Sequence, residues 1–485
     1  MNYLSPIFYI FLPFFLLVFY LIPQRYRYIP IFIGSYIFYG YTDIKMSLVL
    51  LAITVLSYFG GIIIEKRKSR GTLGFFFLAN ILVLFFFKYT NFTISNVNWI
   101  ISRAVPQLPQ MNQPKIILPV GLSFIVFQSC TYLTDVFRNN IEAEHNFIRY
   151  GAFVAFFPTV LSGPIQKARE LLPQIACPGK FDGMEAKKGT LLFIWGMFEK
   201  IMIANKLLVI VNKVFNNYQS YNSAYCIIAA ISFSLYIYAD FSSYSDMARG
   251  IAKMMGINIG KNFDNPYLSL TTCEFWNRWH MSLNSWFLEN VYIPLGGNRK
   301  GILRKYINTM IVFLISGLWH GASYHYIVWG VINGVFVIIG QLLRPLKESV
   351  YKRLKIDENV ESIRLCKRIV VFLLITITWV FFRNGISEAL YVIKCMIFLN
   401  PLNFFDSDLF QISETTAATF VTFMAVVVFC RAQSKRQNEK KLFEIYNRQP
   451  ILMQCIPVSM IICACIFAVF STDANINTQF LYFQF

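Results

Sequence analysis

The chain has 485 residues, 56% of them hydrophobic, 17% aromatic and only 14% charged, with a mean hydropathy of +0.51. Those values exclude a soluble multidomain protein and describe an all-α, polytopic integral membrane protein. The net charge of +19 does not indicate nucleic acid, because the basic residues sit in short clusters between apolar runs, as cytoplasmic loops do.

Met1 to Tyr20 lacks a basic n-region and a small-residue cleavage site, so it is expected as a retained first span rather than a signal peptide. Apolar runs at 7–22, 29–41, 46–64 and 74–87 have lengths near that of a membrane span. They are separated by Arg25 and Arg27, by Thr42 to Lys45, and by Lys66-Arg67-Lys68-Ser69-Arg70. Placing these basic connections in the cytoplasm puts the N-terminus outside, together with the charge-poor stretch 88–115 that carries Asn91, Asn96 and Asn98. The next run, 116–133, leads to Asp135 and Arg138. Phe147 to Leu161 is apolar but interrupted by Pro158, Gly163 and Pro164, so it is expected to re-enter without crossing and to lie against the protein interior.

Spans are expected near 189–211 and 223–239, after a loop with Lys167, Arg169, Lys187 and Lys188. Residues 240–305 are the least hydrophobic part of the middle and predict short, tilted or half-buried helices. Asn308 to Trp319 and Ser323 to Leu343 then flank His320; the first is too short for a full crossing, which places the junction inside the bilayer. Runs at 369–382, 418–430 and 451–470 follow, divided by basic, acidic and basic connections that alternate inside, outside and inside and leave the tail outside. The count comes to roughly 11–13 spans, in a single membrane domain over 1–485 with N-terminal spans at 1–115, a core at 116–345 and C-terminal spans at 346–485. The 10 cysteines are scattered, without a CxxC pair, and predict neither a metal site nor a disulfide framework.

The chemistry concentrates in 274–321. Two of the 4 histidines fall there, each directly after a tryptophan, as Trp279-His280 and Trp319-His320. Neutral imidazole is the least expensive ionisable group to hold near hydrocarbon, and its ordinary pKa suits it to take a proton from a hydroxyl in acyl transfer. His320 therefore reads as a general base inside a membrane. A lone histidine there can equally serve only to hydrogen-bond a neighbouring helix. Asn277, Arg278, His280 and the tryptophans Trp276, Trp279, Trp286 and Trp319 are company that a structural histidine does not require. Asp240 and Asp246, set among Ser242, Ser243, Tyr244 and Ser245, mark a wet cavity or a polar helix interface, and serve as substrate contacts or as structural support. Gly296-Gly297-Asn298 before Arg299-Lys300 reads as a phosphate cradle for a coenzyme or as a tight turn with cytoplasmic charge. His325, five positions after His320, points to a different helix face and is given a packing or interfacial role; His145 is expected to be solvated.

Taken in order, the motifs resemble the membrane-bound O-acyltransferase (MBOAT) family. They are Pro119-Val120-Gly121-Leu122-Ser123-Phe124, Phe157-Pro158 with Ser162-Gly163-Pro164-Ile165, Tyr238 to Met247, Asn262-Phe263 with Asn265-Pro266-Tyr267, Trp276 to Leu283, Tyr292 to Asn298, and Gly317-Leu318-Trp319-His320-Gly321. The chain is most similar to the bacterial alginate O-acetyltransferase group, while Trp276-Asn277-Arg278-Trp279-His280-Met281 also resembles the D-alanyl transfer proteins of teichoic acid modification. The resemblance implies a helical bundle around a central funnel, with the acyl donor reaching the site from the cytoplasm and the acceptor hydroxyl from the far side. It implies His320 and His280 as the catalytic histidines, one taking the acceptor's proton while the other, with Asn277 or Arg278, steadies the oxyanion. With no serine or cysteine tied to either histidine by sequence, direct transfer is expected rather than an acyl-enzyme.

The function so implied is O-acetylation of an exported or cell-surface polysaccharide, by a multi-pass protein of the bacterial cytoplasmic membrane. The donor is acetyl-CoA or another acyl thioester as co-substrate, with no bound cofactor and no metal. The expected partners are membrane lipids, the polysaccharide acceptor, and an extracytoplasmic transferase of the SGNH-hydrolase type. One alternative is D-alanyl transfer to teichoic acid from an acyl carrier protein. Others are a glycan or lipid transporter or flippase, which would work with both histidines replaced, and a purely structural scaffold.

Overall fold

The computed structural model describes residues 1–41, 43–398, 426, 428, 439–470 and 480–481, and the described residues form helices and connections without a strand. Seven of the helices are long and apolar enough to cross a bilayer, and three shorter apolar helices accompany them. The protein is therefore polytopic. The predicted run at 418–430 lies largely outside the described residues. The chain divides into two compact units, one of 1–193 with 245–260, the other of 194–244 with 261–481.

In the first unit, the apolar runs predicted at 7–22, 29–41 and 46–64 become α1 (Pro6–Leu21), α2 (Tyr28–Gly40) and α3 (Ile44–Arg67). The run at 74–87 lies in the first half of α4 (Arg70–Ala104), and the helix continues through Asn91 and Asn96 of the charge-poor stretch that follows it. Its polar side chains turn back on their own helix, Thr90 Oγ1 donating to the Phe86 carbonyl and Asn96 Nδ2 to that of Phe92, both at i−4. Polar side chains satisfied in this way interrupt the hydropathy without breaking the helix.

The centre of this unit is α5 (Leu122–Phe137), buried along nearly its whole length, with α6 (Phe147–Val154) beside it. Beyond α6 the backbone leaves helical geometry and remains buried to Gln166, as Pro158, Gly163 and Pro164 predict. Irregular backbone away from water needs protein partners. It finds them: Ser35 Oγ accepts from the Phe157 N–H at 3.1 Å, and Tyr3 O–H donates to the Pro158 carbonyl at 2.7 Å. Asp135 is ion-paired with Arg169 of α7 (Ala168–Ala176) at 2.6 Å. His145 is well exposed beside Glu65.

Next come α8 (Gly183–Phe198), a π-helical turn at Glu199–Ala204, α9 (Asn205–Phe215) and α10 (Ser223–Met254). The last is 32 residues long and carries Asp240 and Asp246 in its continuous body, so the expectation of short helices is corrected over 240–254. It holds from 266 onward, where α11 (Thr272–Arg278) and α12 (Met281–Phe287) have 7 residues each. The run before His320 is not too short: α13 (Ile302–His320) begins six residues earlier than the hydropathy suggests and spans 19 residues, about 28 Å at 1.5 Å per residue. α14 (Tyr324–Leu342), α15 (Arg344–Arg353), α16 (Glu361–Arg383) and α17 (Ile386–Ile397) follow, and helices cover Glu439–Asn447 and Ile451–Phe470.

Candidate active site

α11 opens on a reciprocal cap: Thr271 Oγ1 accepts from the Glu274 N–H at 3.0 Å, and Glu274 Oε2 accepts from the Leu270 N–H at 2.7 Å. The helix ends at Arg278, and the chain reverses through His280, whose φ of +43° places it in the left-handed region. Few residues other than glycine adopt that region, though histidine does so more readily than most. The reversal is held from outside by 262–264, where the Asn262 carbonyl accepts from the Met281 N–H at 2.9 Å and the Asp264 N–H donates to the Arg278 carbonyl at 3.0 Å. α12 starts on the next residue.

His320 is the last residue of α13, and its depth is set by how closely α13 meets α14. A Cβ added at Gly317 would lie 2.3 Å from the Tyr326 carbonyl oxygen, and one at Gly330 2.4 Å from that of Phe313. Two backbones that near each other tolerate no side chain between them. Gly317→Ala is expected to force the helices apart, at a cost of about 1–3 kcal/mol for overpacking. Because His320 is three residues on, transfer activity should fall well beyond that stability loss, since a misplacement of ~1 Å can lower a rate ~100-fold. Thermal denaturation compared with turnover in the same preparation checks this; equal activity with unchanged melting contradicts it.

The two histidines share one cavity. Its volume is ≈ 50 Å³, and Trp276, Trp279, His280, Asn284, Ser316 and His320 line it together with the apolar side chains Leu283, Phe287, Val312 and Phe313. By the measure in which one water occupies about 10–15 Å³, it admits about three to five water-sized groups. Both imidazoles are buried, His280 at 3% and His320 at 4% exposure. His320 is caged by rings, with centroids of Trp319, Trp329 and Phe382 at 4.9, 5.1 and 5.2 Å. The Trp319 ring also reaches His280, at 6.1 Å, and Phe241 meets His280 edge-on at 4.6 Å.

The other sequence-predicted residues lie elsewhere. Asn277 is exposed, and Arg278 is ion-paired with Glu274 at 2.7 Å; neither lines the cavity. Asp240 is also absent from its walls. It is 1% exposed and pairs at 2.6 Å with Lys200, itself fully buried, while its second oxygen accepts from the Leu481 N–H at 2.8 Å. The Phe480 ring lies 4.6 Å from Lys200 Nζ. Asp246, in the other unit, pairs with Arg249 at 3.2 Å. The Gly296-Gly297 segment is a turn with φ of +103° and +56°, pinned by Asn308 Nδ2 donating to the Gly297 carbonyl at 2.8 Å. His325 donates from Nδ1 to the Phe381 carbonyl at 3.0 Å, as a packing histidine does.

A sequence profile of the MBOAT, membrane-bound O-acyltransferase family, matches residues 31–384. The chain belongs to this family. Relatives of this MBOAT chain include the probable alginate O-acetylase of Pseudomonas syringae pv. tomato, 32% identical over 89% of this chain and 82% of the relative. The peptidoglycan O-acetyltransferase of Helicobacter pylori is 30% identical over 79% and 77%, and the teichoic acid D-alanyltransferase of Bacillus subtilis 26% identical over 60% and 74%. The chain is an O-acyltransferase, and its acyl donor is a co-substrate.

Within the MBOAT fold two polar wall residues escaped the sequence reading, and a helical spacing would have found one of them. Ser316 precedes His320 by four on α13 and shares its helix face, whereas Asn284 lies on α12, which begins only after the left-handed His280, so no helical spacing relates those two. Lys200 escaped as well. A single lysine inside an apolar run is itself a signal, because a buried cation needs a partner.

Proposed function

We propose that this O-acyltransferase moves an acetyl group from a cytoplasmic thioester, acetyl-CoA in the simplest case, to a hydroxyl of an exported or cell-surface polysaccharide. The reading is carried by one observation: His280 and His320 open on the same small, mostly apolar cavity. One imidazole takes the proton of the acceptor hydroxyl as its oxygen attacks the thioester carbonyl, and the other stabilises the tetrahedral oxyanion. The C–O bond forms, the C–S bond breaks, and the departing thiolate takes up the proton held by the base. The products are an O-acetyl ester and a free thiol. His280, His320, Trp276 and Trp279 line the cavity and Trp319 packs against both imidazoles, so these five form the reacting surroundings.

The relatives with the higher identities are O-acetyl transferring proteins, which favours acetyl. The cavity adds a physical reason, since no carboxylate lines it to balance the ammonium of a D-alanyl group. The basic connections favour a bacterial cytoplasmic membrane with the donor on the inner side. Delivery to the polymer would be completed by an extracytoplasmic partner of the SGNH-hydrolase type.

Membrane vesicles containing the chain test this when supplied with acetyl-labelled acetyl-CoA. Label should appear as base-labile acetate on envelope glycan, and only when the chain is present. Label transferred solely from a D-alanyl-loaded carrier protein would replace acetyl with D-alanyl. Glycan export that is undiminished with both histidines replaced would identify a transporter instead.

A further inference from the structure

The turn that presents His280 contains a buried polar side chain that the proposed chemistry has not yet used. Asn262 is 1% exposed. Its Oδ1 lies 3.2 Å from His280 Nδ1, and the same oxygen accepts from Ser282 Oγ at 2.7 Å and from the Ser282 backbone N–H at 3.4 Å. These contacts settle which way the amide faces. A backbone N–H can only donate, so turning the amide over would set its NH₂ group against that N–H. The atom facing His280 is therefore the oxygen, and an amide oxygen can only accept. In a neutral imidazole one nitrogen carries the proton and the other the lone pair. Here the proton belongs on Nδ1 and the lone pair on Nε2.

Asn262 also grips the turn through its main chain, because its carbonyl accepts from the Met281 N–H at 2.9 Å. The same residue thus holds the backbone on one side of the left-handed His280 and the ring of His280 itself. Residues in sparsely populated backbone regions persist where their surroundings over-determine them, and such positions gather at functional sites.

We infer that Asn262 is a positioning residue that fixes His280 as the Nδ1–H tautomer and thereby makes His280 Nε2 the atom that takes the acceptor's proton. The inference rests on the transfer chemistry proposed above and divides its labour. A neutral ring with its lone pair on Nε2 accepts at that atom and cannot donate there to an oxyanion. Stabilising the oxyanion then falls to other polar groups of the residues that line the cavity, among them His320, Asn284, Ser316 and the indole N–H of Trp276.

The chain holds only 4 histidines, so ¹⁵N-histidine labelling of the full protein in lipid bilayers gives a spectrum that can be assigned, the His280 signals being those lost in His280→Asn. In the unsubstituted protein, Nδ1 of His280 should show a directly bonded proton and Nε2 the shift of an unprotonated nitrogen. Asn262→Leu, which removes the acceptor, should move the ring toward the Nε2–H form and lower acetyl transfer by about 10- to 100-fold, the range known for losing the hydrogen-bonded partner of a metal-bound histidine and taken here by analogy. Asn262→Asp keeps an acceptor oxygen and should keep the proton on Nδ1.

A proton on Nε2 of His280 in the unsubstituted protein overturns the inference, and that measurement needs no variant to fold. So does an unaltered tautomer or full activity in Asn262→Leu. The transfer chemistry is judged separately: polymer acetate undiminished in His280→Asn removes the task assigned to Nε2, whatever the tautomer.

Discussion

Replacing His320 by alanine should leave the protein in the membrane at its normal level and, on the proposed function, strip the envelope polysaccharide of O-acetate. The expected loss is about 10²- to 10⁴-fold in turnover if the imidazole moves a proton, and about 10²- to 10³-fold if it donates to the oxyanion. Both follow from its place at the end of α13, buried at 4% exposure on the wall shared with His280. Base-released acetate, normalised to the immunoblotted protein, is the readout. His145→Ala serves as the control, because that side chain is 66% exposed beside Glu65, on the unit that does not hold the cavity. Unchanged acetate in the His320 variant would remove the histidine from the reaction.

The second large effect concerns stability. Lys200 and Asp240 have 0% and 1% side-chain exposure and lie 2.6 Å apart. Charges so far from water are tolerated only as a pair, and removing one partner strands the other at about 3–5 kcal/mol. Lys200→Met is therefore expected to lower the apparent melting temperature sharply, because a neutral donor such as the Leu481 N–H does not replace the cation that Asp240 loses. The double change Lys200→Met with Asp240→Leu should recover most of the loss, since two apolar side chains of similar size can replace a buried pair at little or no cost. A single variant as stable as the parent, or a double variant no better than the single, would contradict the pairing.

How much of this was legible in the sequence depended on whether a feature is local. The runs at 7–22, 29–41 and 46–64 were read nearly to the residue, because spacing and hydropathy decide them. The buried break after α6 was read too, since two prolines and a glycine so close together, Pro158, Gly163 and Pro164, disfavour a continuous helix. α4 and α10 were cut short for the same reason in reverse. Asn91 and Asn96 in one, and Asp240, Ser242, Ser243 and Asp246 in the other, depress a hydropathy window, yet a helix tolerates polar side chains that find partners. Ser242 Oγ, for instance, donates to Glu199 Oε2 at 2.8 Å.

The site was legible as a pair of histidines but not as a wall. Asn277 and Arg278 drew attention by standing next to Trp279 and His280 in sequence, whereas neighbours in sequence on a helix point in different directions. Asn284 and Ser316, four residues away, were the ones facing inward. Asn262 could not be found at all by such rules, because it meets His280 across eighteen positions through a backbone reversal that no periodicity announces.

The aromatic rings around the cavity offer a way to watch the enzyme work. Trp276, Trp279, Trp329 and Trp379 are half of the chain's 8 tryptophans, linked by centroid distances from 5.0 to 6.2 Å. Indoles so close exchange excitation, so a change at one of them is felt by the whole cluster. Two of its members, Trp276 and Trp279, line the cavity that the two histidines share. Entry of an acyl group there should register as a change in native fluorescence, giving binding and turnover an optical signal without any attached dye.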